Sequence, residues 1–195
     1  VVIATRGSSG NFAATSSLPF TVSITPAAQT VWFTSQVPSM PLPEATYEPT
    51  ATASSGLAAD ISITVGDQTV CTFDSSTGVL TFVASGTCTM TARQVGDGNW
   101  AAATSVTQSM TVGRLNQTIT FAPVATKSYG DPIFALGATS SSGRPVAYAV
   151  VSGSSTCSVA PGGVVTLGAI GTCTISANQP GDSVYLPADE VSRTF

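Results

Sequence analysis

The feature that most constrains the fold of this chain is an internal repeat of about 86 residues. Gln29-Thr30-Val31-Trp32-Phe33 returns as Gln117-Thr118-Ile119-Thr120-Phe121, and Gly86-Thr87-Cys88-Thr89-Met90 returns as Gly171-Thr172-Cys173-Thr174-Ile175. The paired landmarks keep the same order and lie 85 to 88 residues apart. A unit of this length is about the size of one small β-sandwich. The sequence therefore predicts two units, repeat one (residues 26–113) and repeat two (residues 114–195).

The first 25 residues carry part of a third copy. Asn11-Phe12-Ala13-Ala14 parallels Asn99-Trp100-Ala101-Ala102, which belongs to the last part of repeat one. We therefore expect the chain to begin inside a repeat. Residues 1–25 would then supply the C-terminal strands of a preceding unit, or donor strands for a neighbouring molecule.

The pattern of apolar residues is typical of β-strands. Polar and apolar residues alternate with a period of two in Val79-Leu80-Thr81-Phe82 and in Thr87-Cys88-Thr89-Met90-Thr91-Ala92, whereas helical periodicity is absent. Asp74-Ser75-Ser76-Thr77-Gly78, a cluster of turn-forming residues, separates two apolar runs and predicts a hairpin. We predict an all-β fold of tandem immunoglobulin-like β-sandwich domains, with a small barrel as the alternative for each unit.

Four cysteines occupy matching places in the two repeats, and they predict one disulfide in each complete repeat. The pairs would be Cys71 with Cys88 and Cys157 with Cys173. Closing loops of this size stabilises a domain by about 3 kcal/mol in the chain-entropy model. A zinc site is disfavoured, because the chain has no histidine and no C-x-x-C pair. Structural disulfides indicate an oxidising compartment, so we expect an extracellular or cell-surface location.

Composition argues against two classes of partner. The formal net charge is −4, the sequence pI is near 4.4 and charged residues make up 8% of the chain, against roughly 25% in an average soluble domain. There is no basic field to neutralise phosphates, so we expect no nucleic-acid partner. The apolar runs are far shorter than the roughly 20 residues that span a bilayer, so we expect no membrane insertion in this segment.

No catalytic residue, cofactor or metal site is predicted. The absence of histidine removes the commonest general base, and the ten acidic residues are thinly spread. Asp97 and Asp182 stand in equivalent glycine-containing turns, where a calcium site is one interpretation. Calcium requires six to eight oxygen ligands, so an Asx turn that bonds its own backbone is the favoured interpretation.

Aromatic residues give the weakest indications of a site. Phe12, Trp100 and Tyr185 follow the same turn in three successive copies, which favours a packing role over sugar stacking. Trp32 has no aromatic counterpart in repeat two. With Tyr47 and the proline-rich insert at residues 38–47, it is the candidate for a ligand contact peculiar to repeat one.

Several motifs of repeat two resemble those of a known family. The residues are Gln117-Thr118-Ile119-Thr120-Phe121, Tyr129-Gly130-Asp131-Pro132 and Gln179-Pro180-Gly181-Asp182. They are similar to the tandem bacterial immunoglobulin-like (Big/MBG-like) repeats of large secreted or cell-surface proteins. The resemblance implies a structural role, since these motifs mark turns and core strands.

Three functional hypotheses follow. The first is a non-enzymatic extracellular stalk or spacer of a bacterial surface or adhesin-type protein, whose partners are neighbouring immunoglobulin-like repeats, with any host or surface ligand bound through other domains. The second is the subunit of a polymeric surface fibre or layer, assembled from identical subunits by strand addition of residues 1–25. The third is a carbohydrate-binding module that uses Trp32 and the proline-rich insert.

Overall fold

The computed structural model describes residues 1–64 and 66–195, and its regular structure is almost entirely β. One 3-10 turn, Asp67–Thr69, is the only helical element among the described residues. The strands are β1 Thr5–Arg6, β2 Thr15–Ser16, β3 Val31–Phe33, β4 Thr46–Tyr47, β5 Ala51–Ala53, β6 Asp60–Ile63, β7 Cys71–Asp74, β8 Val79–Phe82, β9 Gly86–Arg93, β10 Val106–Val112, β11 Ile119–Thr120, β12 Phe134–Ala135, β13 Thr139–Ser140, β14 Ala147–Ser152, β15 Cys157–Val159, β16 Val164–Leu167, β17 Thr174–Asn178 and β18 Val191–Thr194. The all-β prediction is confirmed.

Strands β3 to β10 form sandwich one. Two antiparallel sheets, with the strand orders β4-β8-β7 and β6-β9-β10, face each other across the core, and β3 of the short pair β3-β5 lies against β9 and β10. Leu80 and Phe82 of one sheet meet Met90 of the other, and all three are fully buried. Because side chains alternate along a strand, the threonines between them are directed away from the core.

Strands β11 to β18 form sandwich two, which has the same topology. Its sheets have the orders β12-β16-β15 and β14-β17-β18, with the short pair β11-β13 beside them. Val165, Ile175 and Ala177 are fully buried in its core. The two sandwiches correspond strand for strand, so the prediction of tandem immunoglobulin-like β-sandwiches is confirmed.

A disulfide joins the two sheets of each sandwich. Cys71 in β7 is bonded to Cys88 in β9, with 5.9 Å between their Cα atoms. Cys157 in β15 is bonded to Cys173, the residue before β17, with 6.0 Å between the Cα atoms. All four cysteines are buried. The expected arrangement of one disulfide in each complete repeat is therefore present, and each bond links the facing sheets.

The hairpin predicted between β7 and β8 is confirmed. The Oδ1 atom of Asp74 accepts hydrogen bonds from the amide and the hydroxyl of Ser76, at 2.9 and 2.6 Å. These bonds, led by that of the hydroxyl, hold the pKa of Asp74 below its ordinary value. Gly78 ends the turn with φ at +73°, a conformation that glycine adopts without steric cost.

The first 25 residues form a separate hairpin of β1 and β2. Thr5 pairs with Ser16 and Arg6 with Thr15, and an isolated bridge joins Val2 to Phe20. Every residue of 1–25 is exposed, and the large apolar side chains left uncovered are Val1, Val2, Ile3, Phe12, Leu18, Phe20, Val22 and Ile24. The hairpin therefore contributes nothing to the core of sandwich one.

Candidate functional site

A pair of buried glutamines fixes one end of sandwich one. Gln29 precedes β3 and Gln94 follows β9, and the side chain of Gln29 donates to Gln94 Oε1 and to the carbonyl of Ala101, both at 2.7 Å. Ser55 donates to Gln29 Oε1 at 2.5 Å. Gln94 Oε1 also accepts the amide of Gly96. This arrangement, called here the glutamine clasp, ties together parts of the chain that are 65 residues apart.

The glutamine clasp recurs in sandwich two with the same bonds. Gln117 donates to Gln179 Oε1 and to the carbonyl of Leu186, both at 2.7 Å, and accepts from Ser142 at 2.5 Å. The amide of Gly181 donates to Gln179 Oε1 at 2.5 Å. Buried amide groups require hydrogen-bond partners, and the clasps supply those of Gln29 and Gln117. Gln29, Gln94, Gln117 and Gln179 were not predicted as site residues, although their recurrence at matching positions was the available signal.

A turn capped by an aspartate lies beside each clasp. Asp97 Oδ1 accepts the amides of Asn99 and Trp100, at 2.8 and 2.9 Å. Asp182 Oδ1 accepts those of Val184 and Tyr185 at the same two distances. Carboxylate oxygens that bond the following backbone define an Asx turn, so the geometry supports that interpretation of both turns.

The turn of sandwich two carries additional charge interactions. Arg144 lies 2.8 Å from Asp182 Oδ2. The backbone amides of Tyr185 and Val184, with a smaller contribution from the charges of Arg144 and Arg114, hold the pKa of Asp182 below its usual value. This carboxylate therefore stays ionised because it is part of the turn.

The segment that leads into each sandwich is hydrogen-bonded to the Asp turn of that sandwich. Ala27 donates to the carbonyl of Asn99 at 2.7 Å and accepts the amide of Ala101. Leu115 makes the corresponding bonds in sandwich two, with Val184 and Leu186. We use the term head for the end of a sandwich made of the clasp, the Asp turn and this leading segment. The head fixes the direction in which the chain enters each unit.

The sandwiches meet at a junction formed by the head of sandwich two and the opposite end of sandwich one. The amide of Ser85 donates to the carbonyl of Ser183 at 2.7 Å, and the amide of Gly113 donates to that of Pro41 at 2.9 Å. A Cβ atom at Gly113 would lie only 3.0 Å from Leu42 Cδ2 and 3.4 Å from Met40 Cγ. The proline-rich insert at residues 38–47 therefore packs against the connection between the units.

The two residues proposed for ligand contact lie on strands of different sheets. Trp32 in β3 is 44% exposed. Tyr47 in β4 packs against the core of sandwich one, and its hydroxyl is hydrogen-bonded to Ser35 Oγ at 2.7 Å. The position of Tyr47 is accounted for by these contacts. A ligand contact of either residue stays a prediction.

The aromatic positions that recur after the Asp turn differ in burial. Trp100 and Tyr185 are half-buried at the heads, whereas Phe12 is 65% exposed and lies beside Arg6, whose guanidinium carbon is 5.2 Å from the ring centre. Residues 1–25 include no facing sheet that covers Phe12, so a packing role at this position stays a prediction.

The described residues include no group of three or more His, Cys, Asp or Glu side chains arranged to hold a metal ion. Among the same residues, no helix has the length and apolar character needed to cross a membrane.

No protein-family model matches the chain, and no curated protein matches it. Solved structures that it resembles include N-cadherin EC1-4 from Drosophila, at 14% identity over 85% of this chain and 50% of that one, with a TM-score of 0.29. Human protocadherin-24 EC1-2 is 12% identical over 87% and 97%, with a TM-score of 0.35. The protocadherin gammaB7 EC3-6 cis-dimer structure is 15% identical over 93% and 55%, with a TM-score of 0.36.

The chain thus spans about half the length of the first and third of these structures. At such identities and TM-scores the likeness supplies no argument about function. What the strand pairing and the disulfides define is a class, that of tandem immunoglobulin-like β-sandwich repeats.

Proposed function

We propose that this chain is a non-enzymatic extracellular structural repeat region, acting as a stalk or spacer of a bacterial surface or adhesin-type protein. The observation that carries the proposal is the junction, where Ser85 bonds Ser183 and Gly113 bonds Pro41. The bond of Ser85 to Ser183 crosses between the units, while that of Gly113 to Pro41 and the packing of Met40 and Leu42 hold the connecting segment against sandwich one. Together they restrict the angle between the units. A spacer needs this property, because its reach depends on successive units keeping one direction.

The proposed units are residues 26–113 and residues 114–195, preceded by residues 1–25. In each unit the leading segment enters at the head. In sandwich one the chain leaves at the opposite end and continues directly into the head of sandwich two. Neighbouring units are therefore the partners that the geometry favours. Binding of a host or surface ligand would belong to other domains of a longer protein.

The extracellular location is supported by the disulfides. Both disulfides are buried and both link facing sheets. Structural disulfides of this kind form and persist in oxidising compartments. The bacterial source is supported by the motif resemblance of repeat two. With charged residues at only 8% of the chain, hydroxyl side chains provide much of its polar surface.

Negative-stain electron microscopy of the native full-length protein at its source tests this proposal. Single rods that carry a distinct terminal domain are the expected result. Intact mass before and after reduction should show two disulfides in this segment. Flexible beads with no preferred angle between neighbours would contradict the stalk, because the junction would then not hold.

A second function is favoured by the exposed hairpin of residues 1–25. Val2, Phe20 and Ile24 are 61%, 69% and 92% exposed, although apolar side chains of the corresponding strands are buried in the complete sandwiches. In a fibre subunit this hairpin would be covered by strands of a neighbouring molecule. Deletion of residues 1–25 should then abolish polymerisation and leave both sandwiches folded. Polymers that are unaffected by the deletion would exclude this function.

A further inference from the structure

The end of sandwich two that lies opposite its head corresponds to the end of sandwich one that forms the junction. The amides of Val83 and Ala84 donate to the carbonyl of Val70 in sandwich one, and those of Gly168 and Ala169 donate to Thr156 in sandwich two. The next residues along the chain, Ser85 and Ile170, are therefore equivalent. We call this end the distal pole of each sandwich.

The two distal poles differ in what covers them. In sandwich one the amide of Ser85 is bonded to Ser183 of the following head. In sandwich two Ile170 is 86% exposed and its amide donates to no group among the described residues. Tyr129, which lines the same cavity as Ile170, is 71% exposed. Apolar side chains grouped in this way are typical of a contact surface.

The distal pole of sandwich two also has a concave centre. A cavity of about 110 Å³ is lined by Lys127, Tyr129, Leu167, Ile170 and Phe195, among others. The ammonium of Lys127 lies 4.5 Å from the centre of the Phe134 ring. The pole therefore offers an unpaired donor and an apolar surface.

We infer that the distal pole of sandwich two is a docking surface for the head of another repeat of this kind, joined in tandem. In the docked state the amide of Ile170 donates to a backbone carbonyl of the arriving Asp turn, as Ser85 does to Ser183. The inference rests on the proposed spacer function and extends it, since it makes the junction a contact that each added unit repeats. Continuity with the junction inside this chain is the argument for that occupant.

Both heads of this chain are built to serve as the occupant. Gly98 has the same place in its turn as Ser183, and a Cβ atom at Gly98 would have nothing within 4 Å. Its carbonyl accepts no hydrogen bond among the described residues. The acceptor that the distal pole requires is thus exposed on sandwich one as well.

The test compares the chain with an extended form in which Phe195 is followed by a copy of residues 111–195. The added copy carries Ile170→Ser, so that one Ile170 amide remains to be observed. Native-state amide hydrogen exchange, followed by NMR, should slow at Ile170 by at least tenfold on extension. The amide of Ser85, bonded in both forms, should exchange slowly in both and serves as the internal reference.

Several results would overturn the inference. An Ile170 amide that exchanges at the same rate in the two forms would do so, provided that the added unit shows its own folded resonances. If that unit does not fold, an extension with a copy of residues 23–113 repeats the test with the head of sandwich one. Protection of Ile170 that rises with concentration in the unextended chain would mean docking by a second copy, and would also overturn tandem docking.

A pair of substitutions separates packing at the pole from a general effect on stability. In the extended chain Ile170→Asp should return the exchange rate of neighbouring pole amides to that of the unextended chain. Val151→Asp, at a position that is 60% exposed on the side of the sandwich, should not. Fast exchange of Ser85 in the unextended chain would instead contradict the proposed spacer, so the two failures are distinguishable.

Discussion

The glutamine clasp gives the sharpest quantitative prediction. Gln29 is only 8% exposed and makes three side-chain hydrogen bonds, with Gln94, Ala101 and Ser55. Each such bond contributes a net 0.5–1.5 kcal/mol, roughly 1 kcal/mol on average, to stability. Gln29→Ala should therefore lower the free energy of unfolding of sandwich one by about 3 kcal/mol. The partners are left partly buried and unpaired, which adds to the loss.

Urea denaturation followed by tryptophan fluorescence measures this change in sandwich one alone. The chain has two tryptophans, Trp32 and Trp100, and both belong to repeat one. Gln36→Ala is the matched control, because Gln36 is exposed and its side chain makes no hydrogen bond among the described residues. A loss for Gln29→Ala within about 0.5 kcal/mol of the control would refute the reasoning. The double variant Gln29→Ala with Gln94→Ala should lose less stability than the sum of the two single variants, because the two side chains share a hydrogen bond.

Three further predictions concern other parts of the account. Replacing Cys71 and Cys88 by alanine opens a link between residues 17 apart and should destabilise sandwich one by about 3 kcal/mol, measured by the same fluorescence transition. The Cys157 and Cys173 double variant should leave that transition in place. An equal shift in the two double variants would contradict the independent unfolding of the two sandwiches. Gly96→Ala should lower the free energy of unfolding by about 2 kcal/mol or more, because φ is +78° and the new Cβ would lie 2.3 Å from the carbonyl oxygen of Trp100. Gly98→Ala in the same turn should leave stability nearly unchanged. Equal losses of stability in the two variants would refute this steric argument. NMR titration should place the pKa of Asp182 below 3.8. The contribution of its carboxylate to stability is therefore complete above about pH 4 and is lost as the pH falls through the folded-state pKa. Arg144→Gln should raise that pKa, and an unchanged value would show that the charge of Arg144 does not stabilise the carboxylate.

Much of the fold could be predicted from the sequence, and the reasons are local. Strands β8 and β9 alternate apolar and polar residues over enough positions to define the buried face, as Leu80, Phe82, Met90 and Ala92 show. The repeat then transfers that assignment to sandwich two. Turn residues such as Asp74 and Gly78 act within a few positions of the chain, so their hairpin could also be predicted.

The heads and the junction could not be predicted in the same way. Gln29 and Gln94 are polar residues of a type that is mostly exposed, and they are buried only because the fold brings together positions 65 apart. In the sequence, the prolines and the tyrosine of the insert at residues 38–47 suggest a ligand surface. The packing of this insert against Gly113 depends on the path of the chain as it leaves β10, which no local pattern encodes.

The central claim is that the junction holds the two sandwiches in one relative orientation. Residual dipolar couplings of backbone amides, measured for the 195-residue chain in one alignment medium, test it directly. The account predicts that couplings from β6 to β10 and from β14 to β18 fit a single alignment tensor of one magnitude. Two tensors of clearly different magnitude would show that the sandwiches reorient independently, and would contradict both the junction and the proposed spacer.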